Sequence, residues 1–93
     1  METHKNDTTK DRNLLREISR QKMVVGAKQL RKALQSGRAK HVYLAGNADP
    51  AITEPIAMMC RELHIQITWV RSMAELGRAC GIEVGAAAAA VVD

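Results

Sequence analysis

Aromatic residues are almost absent from this sequence of 93 residues, which contains one tyrosine, one tryptophan and no phenylalanine. Surfaces that bind single-stranded nucleic acid by base stacking need several aromatic side chains. The shortage therefore argues against a stacking platform of the RRM or OB type. It also means that the core must be built from Leu, Ile, Val, Met and Ala, and a hydrophobic content of 46% is enough for that.

Cysteine and histidine are also scarce. Cys60 and Cys80 lie far apart in apolar segments and form no C-x-x-C pair, so we expect two reduced core thiols and no disulfide. The histidines share no ligand spacing with these cysteines, so we expect no metal site. No cofactor-binding motif is found, and none of the serines has an obvious histidine and acid partner, so we expect no catalytic site.

Long apolar runs are missing too. No run approaches the ~20 apolar residues that a membrane span needs. The first dozen residues, METHKNDTTKDR, contain no apolar stretch typical of a secretory signal. We therefore expect a cytoplasmic protein with no membrane partner.

The charges are distributed unevenly along the chain. Residues 1–40 carry eleven Lys or Arg and four Asp or Glu, whereas residues 41–93 carry three and six. A basic half joined to a mildly acidic half is typical of a protein that binds a polyanion. The alternative is a solvated basic surface that serves solubility alone.

Hydrophobic spacing predicts alternating helices and strands after a disordered polar tail over residues 1–11. The predicted helices cover residues 12–21 and 27–36, a segment that starts at Asp49-Pro50, and residues 72–81. The predicted strands cover residues 23–25, 40–46 and 65–69. Residues 86–92 stay ambiguous, since alanine favours a helix whereas Val91 and Val92 favour a buried strand.

Two helix starts carry recognisable capping signals. Asp49 before Pro50 is typical of an N-cap followed by a proline in the first turn. Ser72 and Glu75 have the spacing of a capping box. The buried stripe of the helix after Pro50 is predicted to consist of Ile52, Ile56, Met59 and Leu63. The alternation as a whole predicts an α/β fold: one domain over residues 12–93, a three-layer α/β/α sandwich with a small mixed four-stranded sheet.

The segment GAKQLRK, residues 26–32, starts a predicted helix without any such signal. No Ser, Thr, Asp or Asn is in place to cap its free amides, and Gly26 stands at the strand–helix junction. Lys28, Arg31 and Lys32 add positive charge to the first two turns, where the helix dipole is already positive. Uncapped amides and cations together predict an anion-binding site. The alternative is an ordinary solvated helix face.

The nature of the anion follows from the motifs that are missing. Neither G-x-G-x-x-G nor G-x-x-x-x-G-K-[ST] follows the first predicted strand, so a nucleotide site is not indicated. Lys28 and Gln29 can read the O6 and N7 edge of guanine, and Lys32 can bind phosphate. A base-paired RNA of defined shape therefore fits this helix start best.

Four segments then occur in a fixed order: GAKQ (26–29) with Lys32, SGRAKHVYLA (36–45), ADP (48–50) and LGRACGIEVG (76–85). Together they resemble the ribosomal protein L7Ae/L30e superfamily, and most of all its short bacterial YbxF-type members. The resemblance covers about residues 20–93. Archaeal and eukaryotic members usually have Asn-Glu at the positions of Lys28 and Gln29, and often Thr at Ala27, whereas the bacterial members have Lys-Gln.

This resemblance implies an α/β/α protein that binds kink-turn RNA at its tandem sheared G·A pairs. It implies that the RNA backbone approaches the protein closely at Gly26 and Ala27. Lys28 and Gln29 would contact the guanine edges, and Lys32 would contact phosphate and a base. We add Arg31 to this RNA-binding set because it lies among the same cations.

The resemblance also assigns roles outside the helix start. Lys40 would contact the RNA backbone, and residues 86–92 would form a strand. The loop that would pack against a flipped-out nucleotide consists of Ile82, Glu83, Val84 and Gly85. Without the resemblance, this glycine-bounded apolar loop would be interpreted as a core plug between helix and strand.

The expected partner is thus a structured RNA, and a ribosomal, riboswitch or other RNA remains open. We expect a monomer, with the ribosome as one possible setting. The alternative function is a protein-interaction adaptor on a ribonucleoprotein that uses the same fold without recognising a kink-turn, since one fold can carry many functions.

Overall fold

The structure is a computed structural model that describes residues 21–93. The predicted tail over residues 1–11 and nearly all of the helix predicted over residues 12–21 lie outside the described residues. The described elements, in chain order, are β1 (Met23–Val25), α1 (Ala27–Gln35), β2 (Ala39–Ala45), α2 (Pro50–Leu63), β3 (Gln66–Val70), α3 (Met73–Ala79) and β4 (Ala88–Val92). Every element predicted in this range is confirmed to within one or two residues, and the ambiguous segment forms a strand.

The four strands form one mixed sheet in the order β1-β4-β2-β3. β4 runs antiparallel to both of its neighbours, β1 and β2, whereas β2 and β3 are parallel. As a result, β1, β2 and β3 all point the same way. The last strand in the sequence therefore lies in the interior of the sheet, which the sequence pattern did not predict.

Helices cover both faces of this sheet. On one face, Leu30 and Leu34 of α1 and Ile56 of α2 pack with Val42 and Leu44 of β2. On the other face, Leu76 of α3 packs with residues of the sheet that alternate with these, among them Tyr43, Val70, Ala89 and Val91. The predicted three-layer α/β/α arrangement is confirmed.

Alanine in β4 has a packing role. All five residues of this strand are buried, and the side chains of Ala88, Ala89 and Ala90 are fully inaccessible. A strand with neighbours on both edges and helices on both faces has little room for large side chains. The small residues that made this segment ambiguous in the sequence suit its central position.

The buried stripe of α2 differs from the prediction. Ile52 and Leu63 are exposed, whereas Thr53, Ala57 and Cys60 are buried beside Ile56. The buried set follows the spacing i, i+3, i+4, i+7, which keeps one face of a helix toward the sheet. The prediction is confirmed for Ile56 and wrong for Ile52 and Leu63, which lie on one flank of this face, while Met59 on the same flank is half-buried against the core.

Trp69 of β3 is largely exposed. It leaves 54% of its surface accessible, because β3 is an edge strand that pairs only with β2 among the described strands. Both cysteines are free thiols, Cys60 buried and Cys80 half-buried. Burial raises the pKa of each thiol above its usual value, and nearby Arg61 partly offsets this at Cys60.

Within residues 21–93, no helix has the length and hydrophobicity needed to cross a lipid bilayer.

Candidate functional site

All three described helices begin at one edge of the sheet. Because β1, β2 and β3 point the same way, the helix that follows each strand starts at the same carboxyl edge. The carboxyl edge is where α/β sheets usually bind their ligands. The three helix starts can therefore be compared directly.

The starts of α2 and α3 are closed by side chains. Asp49 Oδ1 accepts a hydrogen bond from the amide of Ala51 at 3.0 Å. Ser72 Oγ accepts one from the amide of Glu75 at 3.2 Å, and Asn47 Oδ1 accepts one from the amide of Met73 at 2.8 Å. These bonds satisfy amides that a helix cannot satisfy internally. The predicted cap at Asp49 is confirmed.

The capping box at α3 is only half formed. Ser72 makes its bond, but Glu75 turns toward Arg71, with Oε1 at 3.9 Å from the guanidinium. Its second oxygen is buried and has no hydrogen-bond partner among the described residues. Glu75 still places negative charge in the first turn of α3, which favours the helix dipole.

The start of α1 is open, as predicted. Gly26 is the N-cap, and no side chain in the described part of the chain bonds to the first-turn amides. The backbone of Gly26 is itself fixed, because its amide donates to Ala88 O at 2.9 Å and its carbonyl accepts from Leu30 N at 3.0 Å. A Cβ added at Gly26 would meet no atom of the described residues within 4 Å.

The cations of α1 are distributed differently from the prediction. Lys28, Arg31 and Lys32 are all exposed, as is Gln29. However, α1 has only nine residues, so Lys32 lies in its last turn, where the dipole favours a positive charge. The electrostatic cost of positive charge at the helix start therefore falls on Lys28 alone.

Residues 82–85 form an exposed loop rather than a core plug. Val84 is 71% exposed and Ile82 is 36% exposed. The loop is held against α3, since Ile82 N donates to Gly77 O at 3.0 Å and Ala86 N donates to Met73 O at 3.0 Å. The core-plug alternative is therefore wrong, and an apolar patch remains available for a ligand.

This loop and the start of α1 lie at the same end of the sheet. The amide of Gly26 bonds to Ala88, which is only three residues beyond Gly85. Glu83 lies between the two exposed apolar side chains of the loop. The fold thus brings together two segments that are about fifty residues apart in the chain.

Lys40 is not brought to this site. It lies at the beginning of β2, beside the end of β4, whereas Gly26 lies at the level of Ala88, where β4 begins. The four residues of β4 between these levels span ~13 Å. Lys40 instead pairs with Asp93, with Nζ at 3.0 Å from Oδ1.

Two residues of the site were not predicted from the sequence. Asn47 reaches α3 from the β2–α2 loop, a contact over 26 residues that local patterns cannot reveal. Gly77 lies inside α3, where a Cβ would collide with the carbonyl oxygen of Val84. An isolated glycine inside a helix was the available signal, since such a glycine usually marks a close approach.

Comparisons with known proteins place this geometry in a family. Residues 11–93 match the profile of the Ribosomal protein L7Ae/L30e/S12e/Gadd45 family. A Bacillus pumilus protein named RNA-binding protein is 44% identical over 72 residues, which are 77% of this chain and 88% of that protein. The RNA-binding protein YbxF of Geobacillus stearothermophilus is 44% identical over 71 residues, which are 76% of this chain and 87% of that protein.

A solved structure agrees with the sequence matches. The Giardia lamblia 15.5kD RNA binding protein superposes with a TM-score of 0.76 at 27% identity, covering 86% of this chain and 68% of that chain. The resemblance inferred from the four sequence segments is thereby confirmed. With its profile match, its bacterial relatives and its fold in agreement, this chain belongs to the Ribosomal protein L7Ae/L30e/S12e/Gadd45 family.

Proposed function

We propose that this chain binds RNA and recognises the kink-turn, a sharply bent helix with tandem sheared G·A pairs. The observation that carries the proposal is the uncapped start of α1, with Lys28 in its first turn, beside the exposed loop of residues 82–85. The relatives named as RNA-binding proteins support it. RNA supplies the negative partner that this helix start lacks.

The roles of the residues follow from their positions. Gly26 and Ala27 allow the RNA backbone to approach the open amides. Lys28 and Gln29, both exposed, contact the guanine edges of the sheared pairs. Arg31 and Lys32 lie further along the same helix and contact phosphates.

The loop supplies the second contact. Ile82 and Val84 expose apolar side chains that pack against a nucleotide displaced from the stack at the bend. Glu83 and Gly85 place the loop backbone close to that base. No catalytic step is part of this function, and the proposed unit is a cytoplasmic monomer of residues 12–93, with the ribosome as one setting.

The test is a gel-shift titration with a kink-turn RNA and with a mutant RNA that lacks the sheared G·A pairs. We expect tight binding to the first RNA only. Lys28→Ala should weaken it by ~1–3 kcal/mol through loss of a base contact, and Lys32→Ala should reduce the salt dependence by about one unit of slope. Arg61→Ala removes an exposed cation from α2 and serves as the control.

Equal affinity for bent and straight RNA, with the fold intact, would contradict the proposal. So would unchanged binding by the Lys28 variant. Removal of residues 1–11 tests the proposed boundary of the binding unit, and it should leave the preference for the kink-turn unchanged.

A second candidate is the adaptor function, and one observation favours it. Trp69 on the edge strand β3 and Leu63 at the end of α2 leave about half of their surfaces exposed. Exposed apolar groups beside a strand edge that no other described strand covers suit a protein partner. This candidate predicts that the purified chain ignores kink-turn RNA altogether, so the same titration separates the two.

A further inference from the structure

The end of the sheet opposite the α1 start carries a second group of cations. Lys22 precedes β1, and its carbonyl accepts a hydrogen bond from Val92 N at 2.9 Å. Arg38 precedes β2, and its carbonyl accepts one from Asp93 N at 3.3 Å. Together with Lys40, whose ammonium pairs with Asp93, these cations surround the end of β4. We call Lys22, Arg38 and Lys40 the distal cluster.

Within the described part of the chain, few acidic residues lie near the distal cluster. Residues 21–48 contain six Lys or Arg and no Asp or Glu. Among residues 21–93, Asp93 is the only residue whose side-chain carboxylate pairs with the cluster, and it pairs with Lys40. The Lys40–Asp93 pair is itself largely exposed, at 66% and 60% of the side-chain surfaces, so water screens it.

Structural roles explain only part of this cluster. Arg38 lies just beyond the end of α1, where the helix dipole favours a cation. Lys22 has no comparable role, because it precedes a strand and its side chain is exposed. The positions are nevertheless well fixed, since the backbone of Lys22 is hydrogen-bonded to Val92 of β4 and that of Arg38 to Asp93, which follows the strand.

Helix α1 connects the two ends of the molecule. It runs from the open start at Gly26 to Gln35, close to Arg38, and its exposed side carries Lys28, Arg31 and Lys32. Four residue steps along β2, from Lys40 to Leu44 at the level of Ala88, separate the two ends by ~13 Å. At the ~3.4 Å of helix axis per phosphate of one strand that holds for a DNA duplex, this distance corresponds to about four phosphates.

We propose that the distal cluster is a second phosphate-binding surface, which holds the duplex stem that leaves the kink and runs along α1. The inference rests on the proposed function, and it specifies how much RNA the protein contacts. A kink-turn with trimmed stems reaches only the open helix start, whereas a longer stem reaches both surfaces. The protein thus binds extended stems more tightly than the bend alone requires.

The test compares three kink-turn RNAs with the same bend. One has stems of three base pairs, and in each of the other two one of the stems is extended to ten base pairs. The variant is Lys22→Ala with Arg38→Ala, and the control is Arg61→Ala with Arg78→Ala, which removes the same charge from the other helices. We expect the wild type to bind one extended RNA about tenfold more tightly than the trimmed RNA. The distal variant should lose this gain while keeping its affinity for the trimmed RNA.

The salt dependence gives a second readout. For the extended RNA, loss of two phosphate contacts should lower the slope of log K against log salt by about two units, and the control should retain the wild-type preference. Two results would overturn this inference alone. In the first, the distal variant loses as much affinity for the trimmed RNA as for the extended RNA. In the second, the wild type gains no affinity from either extension. Failure of the wild type to bind any kink-turn would overturn the proposed function, and this inference with it.

Discussion

The start of α1 differs from the starts of α2 and α3, although all three lie on one edge of one sheet. Asp49, Ser72 and Asn47 accept hydrogen bonds from the first-turn amides of α2 and α3. At α1 the corresponding position is Gly26, and the first turn has a lysine and no acid. The same chain therefore caps the helix starts that serve the fold and leaves one start open.

Packing explains why α1 forms without a cap. Leu30 and Leu34 are almost completely buried against the sheet. Burial of one such side chain contributes ~1.5–3 kcal/mol, whereas a glycine in place of a capping side chain costs only about a few tenths of a kcal/mol. The core thus fixes the helix, and its first turn is available for a ligand. This comparison teaches that an uncapped start in a well-packed helix is a functional signal only when capped starts stand beside it.

The largest expected effect comes from reversing the charge at the open start. Lys28→Glu removes a base contact and adds repulsion from phosphate, so kink-turn affinity should fall by ~3 kcal/mol, about a hundredfold or more. The same change favours the helix dipole, so the free energy of unfolding should rise by roughly 0.5–1 kcal/mol. Gel shift and urea unfolding measure the two effects.

Opposite signs in binding and stability are the essential point of this experiment. Lys28→Gln, which removes the charge without reversing it, should give intermediate values in both measurements. If Lys28→Glu lowers the free energy of unfolding and leaves RNA affinity unchanged, the start of α1 has no special role in RNA binding and is equivalent to the starts of α2 and α3.

The next effect concerns the backbone of Gly26. Its φ of 101° and ψ of 146° lie in a region that only glycine occupies easily. Gly26→Ala should lower the free energy of unfolding by ~1–3 kcal/mol, and the folded variant should bind kink-turn RNA about tenfold more weakly because the new methyl group enters the space before the helix. Urea unfolding and gel shift are the measurements.

The other end of α1 offers a matched glycine. Gly37 has a φ of 75° and also faces open space. Gly37→Ala should cost ~1–2 kcal/mol of stability with little change in affinity for an RNA with trimmed stems. A similar loss of affinity in both variants would mean that general destabilisation, and not the open start, is responsible.

A smaller effect is expected at a capped start. Ser72→Ala removes the acceptor for the Glu75 amide, and should lower the free energy of unfolding by ~1 kcal/mol, which lowers Tm by about 4–8 °C in a domain of this size. Kink-turn affinity should not change. Thermal unfolding followed by circular dichroism checks the first statement, and gel shift the second. A drop in affinity would show that α3 takes part in binding beyond holding the loop.

The smallest effect separates the two lysines of α1. Lys32 lies in the last turn, so Lys32→Ala should lower the free energy of unfolding by ~0.3–1 kcal/mol, whereas Lys28→Ala should raise it by a similar amount. Both should weaken RNA binding. The comparison is made by urea unfolding at low ionic strength, where the dipole effect is least screened. Changes of the same sign in the free energy of unfolding of the two variants would contradict the assignment of the two lysines to opposite ends of α1.

Local patterns predicted most of this fold, and their failures have identifiable causes. Gly26, Asp49-Pro50 and Ser72 mark helix starts through their own backbone and side-chain chemistry, so the sequence locates them. The stripe of α2 was misplaced because Ile52 and Leu63 are as apolar as the core residues, and only the position of the sheet decides between them. Hydrophobicity alone cannot choose between adjacent flanks of a helix.

The candidate site was predictable where it is local and not where it depends on tertiary structure. The open start of α1 could be inferred from residues 26–32. The contrast between Lys28 and Lys32 depends on a helix length of nine residues, and helix ends are poorly determined by sequence. The Asn47 cap, the separation of Lys40 from the site and the exposure of Val84 all depend on strand order and register.

The interior position of β4 has a consequence for synthesis. Chains leave the ribosome N-terminus first. Until residues 88–92 emerge, β1 and β2 have no strand between them, and Gly26 lacks the carbonyl group that fixes its amide. Such long-range pairing also slows folding, because distant segments must meet first. A nascent chain stalled before β4 would thus carry every lysine of α1 and still lack the contact that fixes Gly26, so the proposed RNA site is complete only after translation of β4.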